Sequence, residues 1–194
     1  MARRVLRALL VLLAVGGLWQ VGQGAWIHVK ARVAQHLLQR AWVRTLAGES
    51  DVKPWPWADT WPVARLRVPA HGADLIVLDG VSGRTLAFGP GHASSSARPG
   101  SPGTAIVSGH RDTHFHFLRR VRPGDEVVVD TPGRPPAWFV VREAAVVDAR
   151  TAVIRRDDAP GLALVTCYPF DAVRPGGPLR YVVVAEAASG VTAR

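Results

Sequence analysis

One cysteine in 194 residues, Cys167, excludes an internal disulfide, so its thiol stays available even in an oxidising compartment. Acidic residues are missing altogether before Glu49. Seven of the 24 basic residues lie in that same stretch (Arg3, Arg4, Arg7, Lys30, Arg32, Arg40 and Arg44). The rest of the chain then sets 17 basic residues against all 15 acidic ones, so the formal charge of +9 belongs mainly to the N-terminal segment. A nearly neutral body does not support nucleic-acid binding by the globular part. No internal repeat is present, and the length allows one domain plus an appendage.

No charged residue occurs from Ala8 to Ile27, a run of mostly Leu, Val, Ala and Gly. As a helix it would reach about 30 Å, one hydrocarbon core. Arg3, Arg4 and Arg7 precede it, which keeps the N-terminus cytoplasmic and the rest outside; Trp19 and Trp26 suit the outer interface. A cleaved signal peptide is the competing reading, with Gly22 and Gly24 near a processing site, but Trp19, Gln20 and Gln23 end it poorly, so a retained anchor is expected. Residues 28 to about 48 have no Pro or Gly before Gly48 and carry a helical stripe of Val33, Leu37, Leu38, Ala41, Trp42 and Thr45. KPWPWADTWP, Lys53 to Pro62, cannot continue a helix and reads as an extended strap whose Trp55, Trp57 and Trp61 clamp onto the domain.

From Val63 onward the pattern changes to short strands with Gly, Pro, Asp and Ser between them. Strands are predicted near 64–68, 74–78, 104–108, 126–130, 138–147, 162–166 and 180–186, the fifth long enough to bend and serve two edges. The Gly- and Ser-rich loop 89–103 is expected to be mobile, and 113–120 to hold one short helix. Seven or eight strands in about 130 residues argue an all-β barrel or sandwich. The expected division is 1–27 basic flank and transmembrane anchor, 28–62 membrane-proximal helix and strap, and 63–194 β-domain.

Chemistry concentrates between Leu162 and Glu186. Cys167 ends one predicted strand and Arg180 begins the next, with Pro169, Pro175, Gly176, Gly177 and Pro178 tightening the loop between them. Such a pair can share a cleft in which a thiolate attacks and a cation holds developing negative charge. A lone cysteine is more commonly a small buried hydrophobe, so it needs a base elsewhere. His110 supplies one: it follows Gly109 at the end of the 104–108 strand, as Cys167 follows its own strand. The spacing His110-x-Asp112-x-His114-x-His116 also admits zinc, and a zinc hydrolase is the rival enzymatic reading, although no further ligand set follows. A non-enzymatic membrane-anchored domain that binds protein partners through its tryptophans is the third. No role is assigned to His71 or His92.

GHRDTHF (109–115), LVTC (164–167) and Arg180 thirteen positions beyond the cysteine resemble the sortases. KPWPWADTWP, LAFGPGH, TCYPFDA and PGGPLRYVV are similar to the subgroup called class GN, from Gram-negative bacteria. The resemblance implies an eight-stranded sortase-type β-barrel behind an N-terminal transmembrane helix, and a cysteine transpeptidase using His110, Cys167 and Arg180. It further implies an exported protein substrate with a C-terminal LPXTG-like sorting signal, an amine acceptor of unknown identity, and a single pass through the inner membrane with the catalytic domain in the periplasm. No cofactor and no metal are expected, since the acidic cluster of calcium-using sortases is not recognisable; substrate-binding residues are not assigned. An L,D-transpeptidase would show Ser-His-Gly-Cys-x-Arg, where this chain has Val165-Thr166-Cys167-Tyr168-Pro169.

Overall fold

Long apolar and alternating stretches become one long helix and eight principal strands in the computed structural model, which describes residues 2–153, 159–174 and 176–188. Helix α1 spans Ala2–Leu46; the strands are β1 Pro62–Val68, β2 Ala73–Asp79, β3 Gly91–His92, β4 Thr104–Ser108, β5 Glu126–Asp130, β6 Ala137–Asp148, β7 Gly161–Cys167 and β8 Leu179–Ala187. The chain divides into two compact units, residues 1–37 and 38–194.

The first unit is helical. Leu9, Leu10, Leu12, Leu13 and Leu18 are all exposed. An 18-residue window of mean hydropathy 1.8 makes α1 long and apolar enough to span a membrane. The segment 28–46 continues the same helix without a break.

In the second unit the strands close into a barrel in the order β1-β2-β3-β4-β7-β8-β6-β5, with β5 returning to β1. Two neighbour pairs are parallel, β2 with β3 and β4 with β7; the others are antiparallel. Alternation along β1 shows how sequence sets the two faces. Ala64, Leu66 and Val68 enter the core, while Arg65 and Arg67 point outward to Asp74 of β2 and Asp130 of β5. The core joins these residues to Val107, Phe115, Leu118, Val127, Phe139, Leu162, Leu164 and Val183. β6 serves two edges as expected: Ala137–Val140 pair with β5, Phe139–Asp148 with β8, and the register shifts between Val141 and Glu143.

The last turns of α1 belong to this unit. Leu38 and Trp42 pack on Ile76 and Leu78 of β2, beside Trp55 and Phe88. The helix stops at Gly48, whose φ of +97° suits a residue without Cβ. Beyond it the strap is a series of bends rather than one extended segment. Trp55 does clamp, its ring 4.7 Å from that of Phe88 in an edge-on contact. Trp57 does not: it is 83% exposed.

Two further expectations are corrected. The loop 89–103 contains β3, a two-residue strand joining β2 to β4, and its His92 is buried with hydrogen bonds to the Ala97 carbonyl (2.9 Å) and Ser96 Oγ (3.2 Å). Gly91 permits the crossing, since a Cβ there would lie 2.1 Å from the Gly80 carbonyl oxygen. The helix expected over 113–120 is a turn followed by a 3-10 helix, His116–Arg120, seated by Phe117 and Leu118. Pro175, counted among the turn residues before β8, lies outside the described residues.

Candidate active site

Parallel pairing of β4 with β7 brings their C-terminal ends to one rim of the barrel, in register from Thr104–Gly161 to Ser108–Val165. The register carries past the strand ends. The Gly109 amide donates to the Val165 carbonyl at 3.1 Å, and the Thr166 hydroxyl donates to the Gly109 carbonyl at 2.7 Å. The Gly109–His110 peptide is thereby fixed beside the Thr166–Cys167 peptide. Thr166 is 2% exposed, so its bond is shielded from water and the link is a firm one.

On the other side of β7, Cys167 stands directly opposite Arg180 of β8. The neighbouring bond, Tyr168 N–H to the Leu179 carbonyl at 3.1 Å, makes Cys167–Arg180 a non-hydrogen-bonded pair of the antiparallel ladder. Such pairs hold their Cα atoms about 4.5 Å apart with both side chains on one face. The Cys167 side chain is partly exposed and unoxidised. Arg180 Nη1 donates to the carbonyls of Gly177 and Leu179, both at 2.9 Å, which orients the guanidinium and leaves its other edge without a partner among the described residues. Arg174, the other arginine of the β7–β8 connection, is exposed and offers its backbone carbonyl rather than its side chain to a neighbour.

Tyr168, Phe170 and Tyr181 form an aromatic cluster next to these residues, with Phe170 and Tyr181 at 5.2 Å edge to face. A cis peptide bond joins Tyr168 to Pro169. Sequence reasoning did not single out this cluster; its signal was aromatic residues flanking both Cys167 and Arg180.

The turn after β4 is built around Phe115. Its amide donates to the His110 carbonyl at 2.9 Å and its ring is fully buried beneath Gly109. A Cβ on Gly109 would come within 2.8 Å of that ring. Gly109→Ala should therefore destabilise the protein by about 1–3 kcal/mol, as overpacking does, and reduce activity by displacing His110. Denaturant unfolding checks the first, and a wild-type midpoint would contradict this account of the turn.

Of the histidines whose spacing admits zinc, His110 and His116 are exposed and His114 is half-buried. His116 lies 3.5 Å from Arg119, a neighbour poorly suited to metal binding. Among the described residues no group of three His, Cys, Asp or Glu side chains is assembled to hold a metal ion. Burial, and then the charge of nearby His110, push the His114 pKa below its ordinary value. Because the unfolded state binds that proton more readily, stability falls as pH drops through the ordinary histidine range. His114→Gln should lose less stability than wild type between about pH 7 and about pH 5. Equal losses measured by urea titration at both pH values would remove His114 as the source.

Comparison with known proteins gives this arrangement a family. The sortase-domain family model matches residues 66–188, from β1 to the end of β8. The chain belongs to the sortase family. Sortase D of Bacillus subtilis is 30% identical over 119 residues, a match covering 61% of this chain and 60% of that protein, so the chain spans less than two thirds of that relative's length. Among solved structures, a lid mutant of sortase A from Corynebacterium diphtheriae aligns with a TM-score of 0.61 at 21% identity, covering 81% of this chain and 95% of its own. Sortase C-1 from Actinomyces oris aligns with a TM-score of 0.58 at 25% identity over 66% of this chain and 72% of its own. The sortase barrel is thus the fold of residues 62–187 here, and the matched region contains His110, Cys167 and Arg180.

Proposed function

We propose that this sortase is a membrane-anchored cysteine transpeptidase of class GN. On that reading it cleaves an LPXTG-like sorting signal in an exported protein, forms a thioacyl-enzyme and passes the acyl group to an amine. The observation that carries the reading is the placement of Cys167 opposite Arg180, with the Gly109–His110 peptide tied to the same strand end.

The Cys167 thiolate attacks the carbonyl carbon of the scissile amide, and the electron pair of the C=O moves to oxygen. Arg180 offers its free edge to that oxyanion or to the substrate backbone; its charge is permanent and its planar fork is already oriented by two carbonyls. As the tetrahedral species collapses, the C–N bond breaks and protonated His110 donates to the departing amine, leaving a thioester on Cys167. The acceptor amine then gives a proton to His110 and attacks the thioester, and the thiolate leaves. No redox step or cofactor enters.

The apolar helix and its basic flank support a single pass through the inner membrane, N-terminus cytoplasmic, with the barrel in the periplasm. Boundaries near 27 and 62 would separate the anchor, the membrane-proximal segment and the catalytic domain. Trapping the acyl adduct from native membranes and reading its peptide by mass spectrometry tests the function. The N-terminal portion of an exported protein, ending at the residue whose carbonyl was attacked, is expected as a thioester on Cys167; an adduct that persists in Cys167→Ala protein would defeat the assignment.

A further inference from the structure

Arg111 follows His110 directly, yet its side chain reaches across to the β7–β8 connection. Nη2 donates to the Ala172 carbonyl at 2.9 Å and to the Arg174 carbonyl at 3.4 Å. Nη1 is buried and has no partner among the described residues. A buried guanidinium nitrogen without an acceptor costs folding free energy, because it has given up water and gained nothing in exchange. A residue that weakens the fold in this way needs a reason besides stability.

The segment it grips offers one. Between Phe170 and Gly177 the described backbone makes few bonds of its own. Ala172 N–H meets the Pro169 carbonyl only at 3.5 Å; the remaining bonds come from Arg111 and from Arg180, which holds the Gly177 carbonyl. Gly176 and Gly177 both have positive φ, so their backbone has the freedom that only glycine enjoys. The connection starts at Cys167 and returns to Arg180, and Arg111 is what fastens it to the turn that bears His110. This tether is separate from the Thr166–Gly109 bond: one joins strand ends, the other joins the loops above them.

We propose that Arg111 is a positioning residue for acyl transfer, clamping the β7–β8 connection so that the Arg180 guanidinium stays aligned with Cys167 and His110. The inference rests on the transpeptidase reading. Without the clamp the connection swings on its glycines, and Arg180 loses the Gly177 carbonyl, keeping only its anchor on Leu179 at the start of β8. The loss falls on the chemical step, since what is misplaced is the group that meets charge as it develops.

The test uses full-length protein in detergent, an LPXTG-type peptide as acyl donor and hydroxylamine as acceptor, with Arg111→Met, Arg111→Gln and Arg111→Lys. For Arg111→Met, kcat should fall at least tenfold on the order seen for lost positioning contacts, with KM within about twofold of wild type. Hydrogen exchange should speed up in residues 168–174 and stay unchanged in β7, and the thermal midpoint should be level with wild type or above it. Arg111→Lys, which can still reach one carbonyl, should recover part of kcat, and it and Arg111→Gln serve if the Met variant does not fold. A kcat near wild type, a change in KM alone, or exchange rising throughout β7 as well would overturn the proposal. Exchange needs no turnover, so it judges the clamp even if Cys167→Ala proves fully active and the transpeptidase reading itself falls.

Discussion

Cys167→Ala should abolish acyl transfer while leaving the barrel intact. The substitution removes one partly exposed sulfur at the rim and touches neither the Thr166–Gly109 bond nor the β7–β8 ladder. Stability should move by about 1 kcal/mol or less, the usual range for a substitution away from core and caps. Activity should drop to background, because no other cysteine exists to form the thioester. Turnover above a trace in this variant, with a normal unfolding midpoint, would sink the covalent mechanism. Turnover lost together with stability would mean that the thiol has a packing role its exposure does not suggest.

The second large effect is expected at Arg180. Removing a donor that meets charge only in the transition state lowers kcat and kcat/KM together, by roughly 10²–10³. Arg180→Ala should show that signature. Arg180→Lys should recover little, since an ammonium cannot donate to Gly177 and Leu179 from one edge and to substrate from the other. Arg174→Ala should cost much less, because the contact Arg174 contributes is its backbone carbonyl. A rise in KM with kcat intact would make Arg180 a substrate-binding group instead. Steady-state kinetics on the three variants separate these outcomes.

Much of this arrangement is legible in the sequence, for identifiable reasons. β1 announces itself because its outward positions are charged and its inward ones aliphatic, a period-2 pattern that sequence displays directly. Arg180 could be paired with Cys167 because a tight connection between two strands leaves few registers open. Strand β3 was out of reach: two residues carry no periodicity, and what makes Gly91–His92 a strand is its pairing with Leu78–Asp79 of β2 and Val107–Ser108 of β4, a tertiary fact. Arg111 was missed because its partners are carbonyls 61 and 63 residues away, and backbone acceptors leave no trace in side-chain identity. Trp57 departs from expectation because composition near a proline says that a chain is not helical, not which of three rings finds a surface.

The parallel contact between β4 and β7 has a consequence for biogenesis. The hydroxyl–carbonyl bond that joins the two halves of the site spans 57 residues, and the strand bearing Arg180 comes later still. A chain made from its N-terminus holds the imidazole long before the sulfur exists, and the sulfur before the guanidinium. Such long-range pairings form late, after loop closure has been overcome. On the proposed assignment the nascent polypeptide is silent until β8 docks, and a copy stalled before that strand carries the thiol without the guanidinium that faces it.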